Sequence, residues 1–273
     1  MKAIYLERHG PPEVFLERVV DDPKVGPRSV KLRVAAAGVN FADLLQRLGL
    51  YGHAPKMPYI PGFEVAGEVI SCGSEVISFS VGDRVAALIP TGGYSDTVVA
   101  DDFALKKIPP GLSPEEAAAI PVNYLTAWFC LFSFGFLARQ ERVLIHTAAG
   151  GVGVAAVQLA LDKGAEVFAT AGSEEKLRFL DQIGVQHRVS YFESDWAEQI
   201  RRLSAPNGID VVLDSVGGDC LQKSYELLAP LGRLVSFGLS KAVPGPRRNW
   251  IKTLMAWWRT PRFSPLELID RNV

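Results

Sequence analysis

The hydrophobic and polar positions follow two different rhythms along this chain. Over the first hundred or so residues, apolar positions come in short β-like runs, "VKLRVAAAG", "EVAGEVISCG", "DRVAAL" and "YSDTVVA". Pro- and Gly-rich punctuation such as "HGPPE", "KVGPRS" and "PYIPGFE" separates them, which predicts a β-rich, barrel-like region. "LSPEEAAAIPV" then supplies a helix start: Ser113 as N-cap, Pro114 at the first helical position and Glu116 closing a capping box. It marks the approach to a domain boundary. From Arg142 onward, strands alternate with helical stretches: "RVLIHTA" precedes a Gly-rich turn and a helix, "EVFATAG" precedes "SEEKLRFLDQIG", and "IDVVLDSVGG" precedes "CLQKSYELLAPLG" and "RLVSFG". This βαβ alternation predicts a doubly wound α/β architecture, a parallel sheet with helices on both faces. No internal repeat or low-complexity segment interrupts either region.

Composition narrows the class without naming a chemistry. The 273 residues are 48% hydrophobic and 22% charged, a globular balance with room for two domains. Lys plus Arg (29) nearly equals Asp plus Glu (30), so no global charge draws the chain to nucleic acid or to an anionic membrane. Cys72, Cys130 and Cys220 are few, odd in number and far apart, as suits reduced thiols in a cytoplasmic protein rather than a disulfide framework or a cysteine-built zinc site. The N-terminal "MKAIYLERHG" has no apolar signal region, so cytoplasmic placement is expected. The uncharged stretch Ala117 to Ala138 is long enough to span a bilayer, but Pro121 and Asn123 interrupt it. Roughly four turns of apolar helix remain, which predicts a buried core element.

The most specific chemical signal is "IHTAAGGVGVAAVQLA", Ile145 to Ala160. It nearly spells the dinucleotide fingerprint G-x-G-x-x-G, with Ala148 in place of the first glycine and Gly150 and Gly153 in the other two. Ala148 is tolerable if its backbone stays at negative φ. A helix opening near Gly151 would offer free N–H groups and a positive dipole end to phosphates. NAD-binding enzymes place an Asp or Glu at the end of the next strand, where it meets the ribose 2′-hydroxyl. Here that strand ends Thr170, Ala171, Gly172, followed by Ser173 and Lys176. A hydroxyl and an ammonium suit a 2′-phosphate, so NADPH is expected over NADH. Glu174 and Glu175 fall in the first turn of the following helix, where acids complement the dipole.

"GVNFADLLQRLGLYG", "PGFEVAGEV", "VGDRVAAL", "AAAIPVNYLTAW", "HTAAGGVGVAAVQLA" and "VVLDSVGG", in this order and spacing, resemble the medium-chain dehydrogenase/reductase superfamily nearly end to end. Within it the chain is similar to the zinc-independent quinone oxidoreductases, nearest the vesicle amine transport protein-like branch, which the tail "GPRRNWIKTLMAWWRTPRFSPLELI" resembles. The resemblance implies a β-rich, GroES-like catalytic domain over 1–122 and a Rossmann-type dinucleotide-binding domain over 123–273. Alcohol dehydrogenases of the superfamily carry a cysteine where this chain has Asn40, and Gly-His-Glu where it has Gly62, Phe63 and Glu64. Neither Asn nor Phe replaces a thiolate or imidazole on zinc, so no metal is expected. By resemblance, Asn40 and Tyr51 line the acceptor pocket and Thr126 lies beside the nicotinamide. Gly150, Gly151 and Val152 meet the pyrophosphate, Ser173 and Lys176 the 2′-phosphate, and Tyr191 the adenine side. Ser215 of "DSVGG" and Phe237, Gly238 and Leu239 of "SFGL" form the far wall. His53 reads as a bystander near Tyr51, and water can supply the proton.

The chain stops at "LELIDRNV", whereas similar family members continue. The nucleotide-binding domain is therefore expected to lack the family's last strand, leaving an unpaired edge and setting the family's usual homodimer in question. Just before the end, Trp250, Ile251, Leu254, Met255, Trp257 and Trp258 project onto one helical face, with Lys252 and Arg259 opposite. This helix is expected to cap the acceptor site, with weak membrane-surface contact through 247–259 as the alternative. The expected function is zinc-free hydride transfer from NADPH to a quinone or another conjugated carbonyl. An enoyl-thioester reductase and a non-catalytic NADPH-binding or membrane-surface protein are the alternatives.

Overall fold

The computed structural model describes residues 1–243, 245, 254–255 and 258–264. The chain divides into two compact units that change over between Asn123 and Tyr124.

The first unit carries β1 (Lys2–Leu6), β2 (Phe15–Val19), β3 (Ser29–Ala37), α1 (Phe41–Leu48), β4 (Glu64–Cys72), β5 (Arg84–Leu88), β6 (Thr97–Asp101), β7 (Leu105–Lys107) and α2 (Pro114–Ala118). β1 and β2 pair as an antiparallel hairpin, and a five-stranded antiparallel sheet runs in the order β6-β3-β4-β5-β7. Alternate apolar positions of that sheet, among them Val30, Leu32, Val65, Val69, Val85 and Ala87, close into one core. Helix α1 is set by its ends. Asn40 and Asp43 form a capping box at its start, and Gly49 takes the left-handed conformation (φ +68°) that stops it. The capping box read from Ser113 and Glu116 opens α2, through Glu116 N–H to Ser113 Oγ (3.2 Å) and Ser113 N–H to Glu116 Oε2 (2.9 Å).

Across the change-over lies α3 (Pro121–Trp128), continued by a π-helical stretch, Phe129–Phe134. The core element expected over Ala117–Ala138 is thus divided and buried on one side only. Small or compact residues, Ala127, Cys130, Leu131 and Leu137, face inward, while Leu125, Trp128, Phe129, Phe134 and Phe136 are exposed. No helix among the described residues is long and apolar enough to cross a membrane.

The second unit continues with β8 (Arg142–Ile145), α4 (Gly151–Lys163), β9 (Glu166–Ala171), α5 (Glu174–Gln182), β10 (His187–Ser190), α6 (Trp196–Ser204), β11 (Ile209–Asp214), α7 (Asp219–Glu226) and β12 (Leu228–Ser236). Its sheet is parallel, in the order β10-β9-β8-β11-β12. Successive strand residues enter opposite cores. Val143, Ile145, Val167, Ala169, Val211 and Leu213 pack under α4 and α5, while Leu144, Phe168 and Val212 pack under α6 and α7. The chain order reverses at β8, and the open crevice of such a sheet lies there, at the strands' carboxyl ends. β12 starts at Leu228, earlier than the apolar pattern predicts. Its pairing with β11 is interrupted between Ile209 and Val211, where Pro230, Leu231 (φ +64°) and Gly232 form a bulge. Among the described residues no strand pairs the outer edge of β12. The tryptophan-rich face expected from the sequence lies largely outside the described residues; of its members, Leu254, Met255 and Trp258 are described and are exposed.

Candidate functional site

The β8–α4 turn is built to bring backbone close to a ligand. Gly153 has no space for a side chain: a Cβ there would sit 2.5 Å from the Thr147 carbonyl oxygen and 2.6 Å from Ala148 Cα. Gly150 caps α4 without a side chain, so the first N–H groups of the helix, those of Gly151, Val152 and Gly153, have no partner within it. The tight bend falls on Thr147 (φ +51°), while Ala148 is fully buried and outside the positive-φ region. A β-branched residue in that conformation is strained. Thr147 is tethered by its hydroxyl to Ser215 Oγ at 2.7 Å.

The end of β9 carries Gly172, Ser173 and, four residues after Gly172, Lys176. A Cβ on Gly172 would lie 2.2 Å from Tyr191 Oη, so Tyr191 lies over the position where an acidic residue would point. Ser173 is the N-cap of α5 and accepts the Lys176 N–H at 3.3 Å, which leaves its hydroxyl proton to donate outward. Ser173, Lys176 and Tyr191 are all solvent-accessible and belong to one neighbourhood.

The far-wall residues also come together. Ser215 follows β11, and a Cβ on Gly238 would lie 2.9 Å from its carbonyl oxygen. The Phe237 N–H donates to Asp214 O at 3.0 Å, and Leu239 Cδ1 sits against Gly217. Thr126 is half-buried on α3. Asn40 and Tyr51 belong to the first unit. Tyr51 packs edge-on against Phe63 (6.0 Å between ring centroids) and against exposed His53 (6.5 Å). Asn40 is nearly buried and donates through Nδ2 to Glu64 Oε1 at 2.8 Å.

Beneath the β8–α4 turn lies a polar network with no exposure to solvent. Ser224 Oγ–H donates to Asp214 Oδ2 (2.9 Å) and accepts from His146 Nε2 (2.9 Å), which leaves His146 Nδ1 to accept from the Thr170 hydroxyl (2.9 Å). Asp214 Oδ1 accepts the N–H groups of Val216 and Gly217, each at 2.8 Å. Burial holds the His146 pKa below its ordinary value, against the pull of Asp214, and keeps the ring neutral. The network joins the carboxyl ends of β8, β9 and β11. His146, Thr147, Gly172, Asp214 and Ser224 did not stand out as site residues in the sequence. The available signal was a polar residue closing an apolar strand immediately before a Gly-rich turn, as His146 and Asp214 both do.

Neither metal geometry that the residues suggest fits an ion. At the positions where zinc-dependent relatives carry ligands, the Asn40 amide is held by Glu64 and the Phe63 ring packs on Tyr51. His146, Asp214 and Cys220 come within 4.8 Å of one another, but the His146 and Asp214 atoms are already hydrogen-bonded. Burial pushes the Cys220 thiol up to about 12.

Residues 26–110 match the alcohol dehydrogenase GroES-like domain family, and residues 151–256 the zinc-binding dehydrogenase family. The chain is 41% identical over 238 residues to a quinone oxidoreductase of Pseudomonas aeruginosa, covering 87% of this chain and 73% of that one. It belongs to the medium-chain dehydrogenase/reductase superfamily. It is also 41% identical over 251 residues to the human synaptic vesicle membrane protein VAT-1 homolog, covering 92% of this chain and 63% of that relative's length. Among solved structures, Escherichia coli quinone oxidoreductase complexed with NADPH superposes with a TM-score of 0.83 at 32% identity, covering 88% of this chain and 74% of that one. The CurK enoyl reductase gives 0.82 at 36% identity, covering 87% and 74%.

Proposed function

We propose that the protein is an NADPH-dependent reductase that passes hydride to a quinone or a related conjugated carbonyl without a metal. The observation that carries the cofactor choice is the end of β9, where the strand closes on Gly172 with Tyr191 lying over it and no acid at that position. Ser173 and Lys176 there provide a hydroxyl and an ammonium for a 2′-phosphate. The Escherichia coli structure in complex with NADPH supports the same reading. Gly150, Gly151 and Val152 hold the pyrophosphate on the free N–H groups of α4. Ser215, Phe237, Gly238 and Leu239, with Thr126, confine the nicotinamide half. When bound, the cofactor supplies a hydride, and water supplies the proton that completes the two-electron reduction. Asn40 and Tyr51 donate hydrogen bonds to the acceptor oxygen as it gains charge.

NADPH consumption with an ortho-quinone and, separately, with a 2-enoyl thioester tests the assignment. Turnover of the quinone supports it; turnover of the thioester alone replaces it with the enoyl reductase reading, which the likeness to CurK favours. Lys176→Ala is expected to weaken NADPH about 10- to 100-fold, the worth of one hydrogen bond to a charged group, while leaving NADH nearly unchanged. Equal weakening of both in direct titrations would refute the role of Lys176.

A further inference from the structure

Glu64 opens β4, yet its side chain is 1% exposed and reaches two donors. Oε1 accepts Asn40 Nδ2–H at 2.8 Å, and Oε2 accepts the Val122 N–H, in the first turn of α3, at 2.7 Å. The carboxyl lies against Gly38, where a Cβ would sit 2.1 Å from Oε1. Asn40 is clamped from the other side as well. Its backbone N–H donates to Asp43 Oδ2 at 2.8 Å, and its backbone carbonyl accepts the Asp43 N–H at 3.0 Å. A primary amide has one oxygen and two N–H donors. With one N–H on Glu64, a single N–H remains.

We propose that Glu64 is a positioning residue for Asn40, fixing its amide so that the remaining N–H is the group offered to the oxygen of a bound acceptor. This rests on Asn40 meeting the acceptor, as proposed above. A carboxylate suits the task because both of its oxygens accept. A glutamine at 64 has one accepting end and one donating end, so either Asn40 Nδ2 or Val122 N–H would face another donor. Burial raises the pKa of the Glu64 carboxyl above its ordinary value, the Val122 and Asn40 donors pull against that, and Asp43 adds to the rise.

The test compares wild type, Glu64→Gln, Asn40→Ala and the double variant in NADPH-dependent quinone reduction. Glu64→Gln is expected to lower kcat about 100-fold, the scale of an ångström misplacement, with the KM for NADPH held within about twofold. The double variant is expected to be no slower than Asn40→Ala alone, because Glu64 acts through Asn40. Additive losses, or an unchanged kcat in Glu64→Gln, would overturn the proposal. A purely structural role would lower thermal stability without this non-additivity. A second measurement needs neither turnover nor a folded variant at position 64. In the NMR spectrum of the free wild-type protein, assigned by the signal lost in Asn40→Ala, one Asn40 side-chain proton is expected downfield and slow to exchange relative to its partner. Two protons at the ordinary shifts of a free Asn amide, exchanging equally fast, would refute the clamp. If neither quinone nor thioester is reduced, the functional reading fails while this spectrum still decides the positioning.

Discussion

Each unit buries a polar cluster, and the two clusters are finished to different degrees. In the second unit the ring nitrogens of His146, the Ser224 hydroxyl and both carboxylate oxygens of Asp214 are all hydrogen-bonded. In the first unit Gln46 Oε1 and the Tyr59 hydroxyl are buried with no hydrogen-bond partner among the described residues. Burial raises the pKa of Tyr59, with the nearby Asp43 carboxylate adding to it, and raises those of Asp43 and Tyr94 as well. A completed network fixes one arrangement, whereas unpartnered polar atoms cost stability and persist where something other than stability is served. Of the two units, the second therefore holds the completed polar cluster.

The comparison is broken first at Asp214. Asp214→Ala strands the Val216 and Gly217 N–H groups and the Ser224 hydroxyl together, and should cost about 3 kcal/mol or more in urea unfolding. A loss below about 1 kcal/mol would show that the network is not what holds these strand ends together. Removing a hydroxyl from each cluster sharpens the contrast. Ser224→Ala should destabilise by about 1–3 kcal/mol, while Tyr59→Phe, which deletes an unpartnered hydroxyl, should be neutral or stabilising by up to about 1 kcal/mol. Similar losses from both would erase the distinction. The smallest effect is on the pH dependence. The folded pKa of His146 lies below the ordinary value of 6.5, so below that pH the unfolded chain binds a proton that the folded one does not. Stability is fully present above pH 6.5 and falls as the pH drops, by at most about 1.4 kcal/mol per unit. His146→Gln should flatten that slope; an unchanged slope would assign it to other groups.

The parts of the molecule that were readable from the sequence are those where local chemistry and the tertiary fold agree. The Ser113–Glu116 capping box, the strand–turn–helix around Gly150 and the helix start at Ser173 each rest on residues within four positions of one another. Helix α1 had the same kind of signal in Asn40, Asp43 and Gly49, although the short apolar runs around it suggest only strands. The Glu64–Asn40 and His146–Ser224 bonds were not legible, because they join residues 24 and 78 apart in the chain. The apolar run after Pro121 predicts burial, but composition does not show which side of a helix meets the sheet. The bulge at Leu231 lies where an apolar run reads as helix and only pairing with β11 makes it strand.

Tyr191 over Gly172 also sets the order in which this site could change over time. A carriage of NADH needs an acid at the end of β9, but at position 172 its Cβ would arrive 2.2 Å from the Tyr191 hydroxyl. Gly172→Asp alone should lose NADPH and gain nothing, while the same change after Tyr191→Ala should gain NADH, each read by direct titration. A lineage drifting toward the other coenzyme would therefore gain most from the acid where the tyrosine had already been replaced or had swung aside.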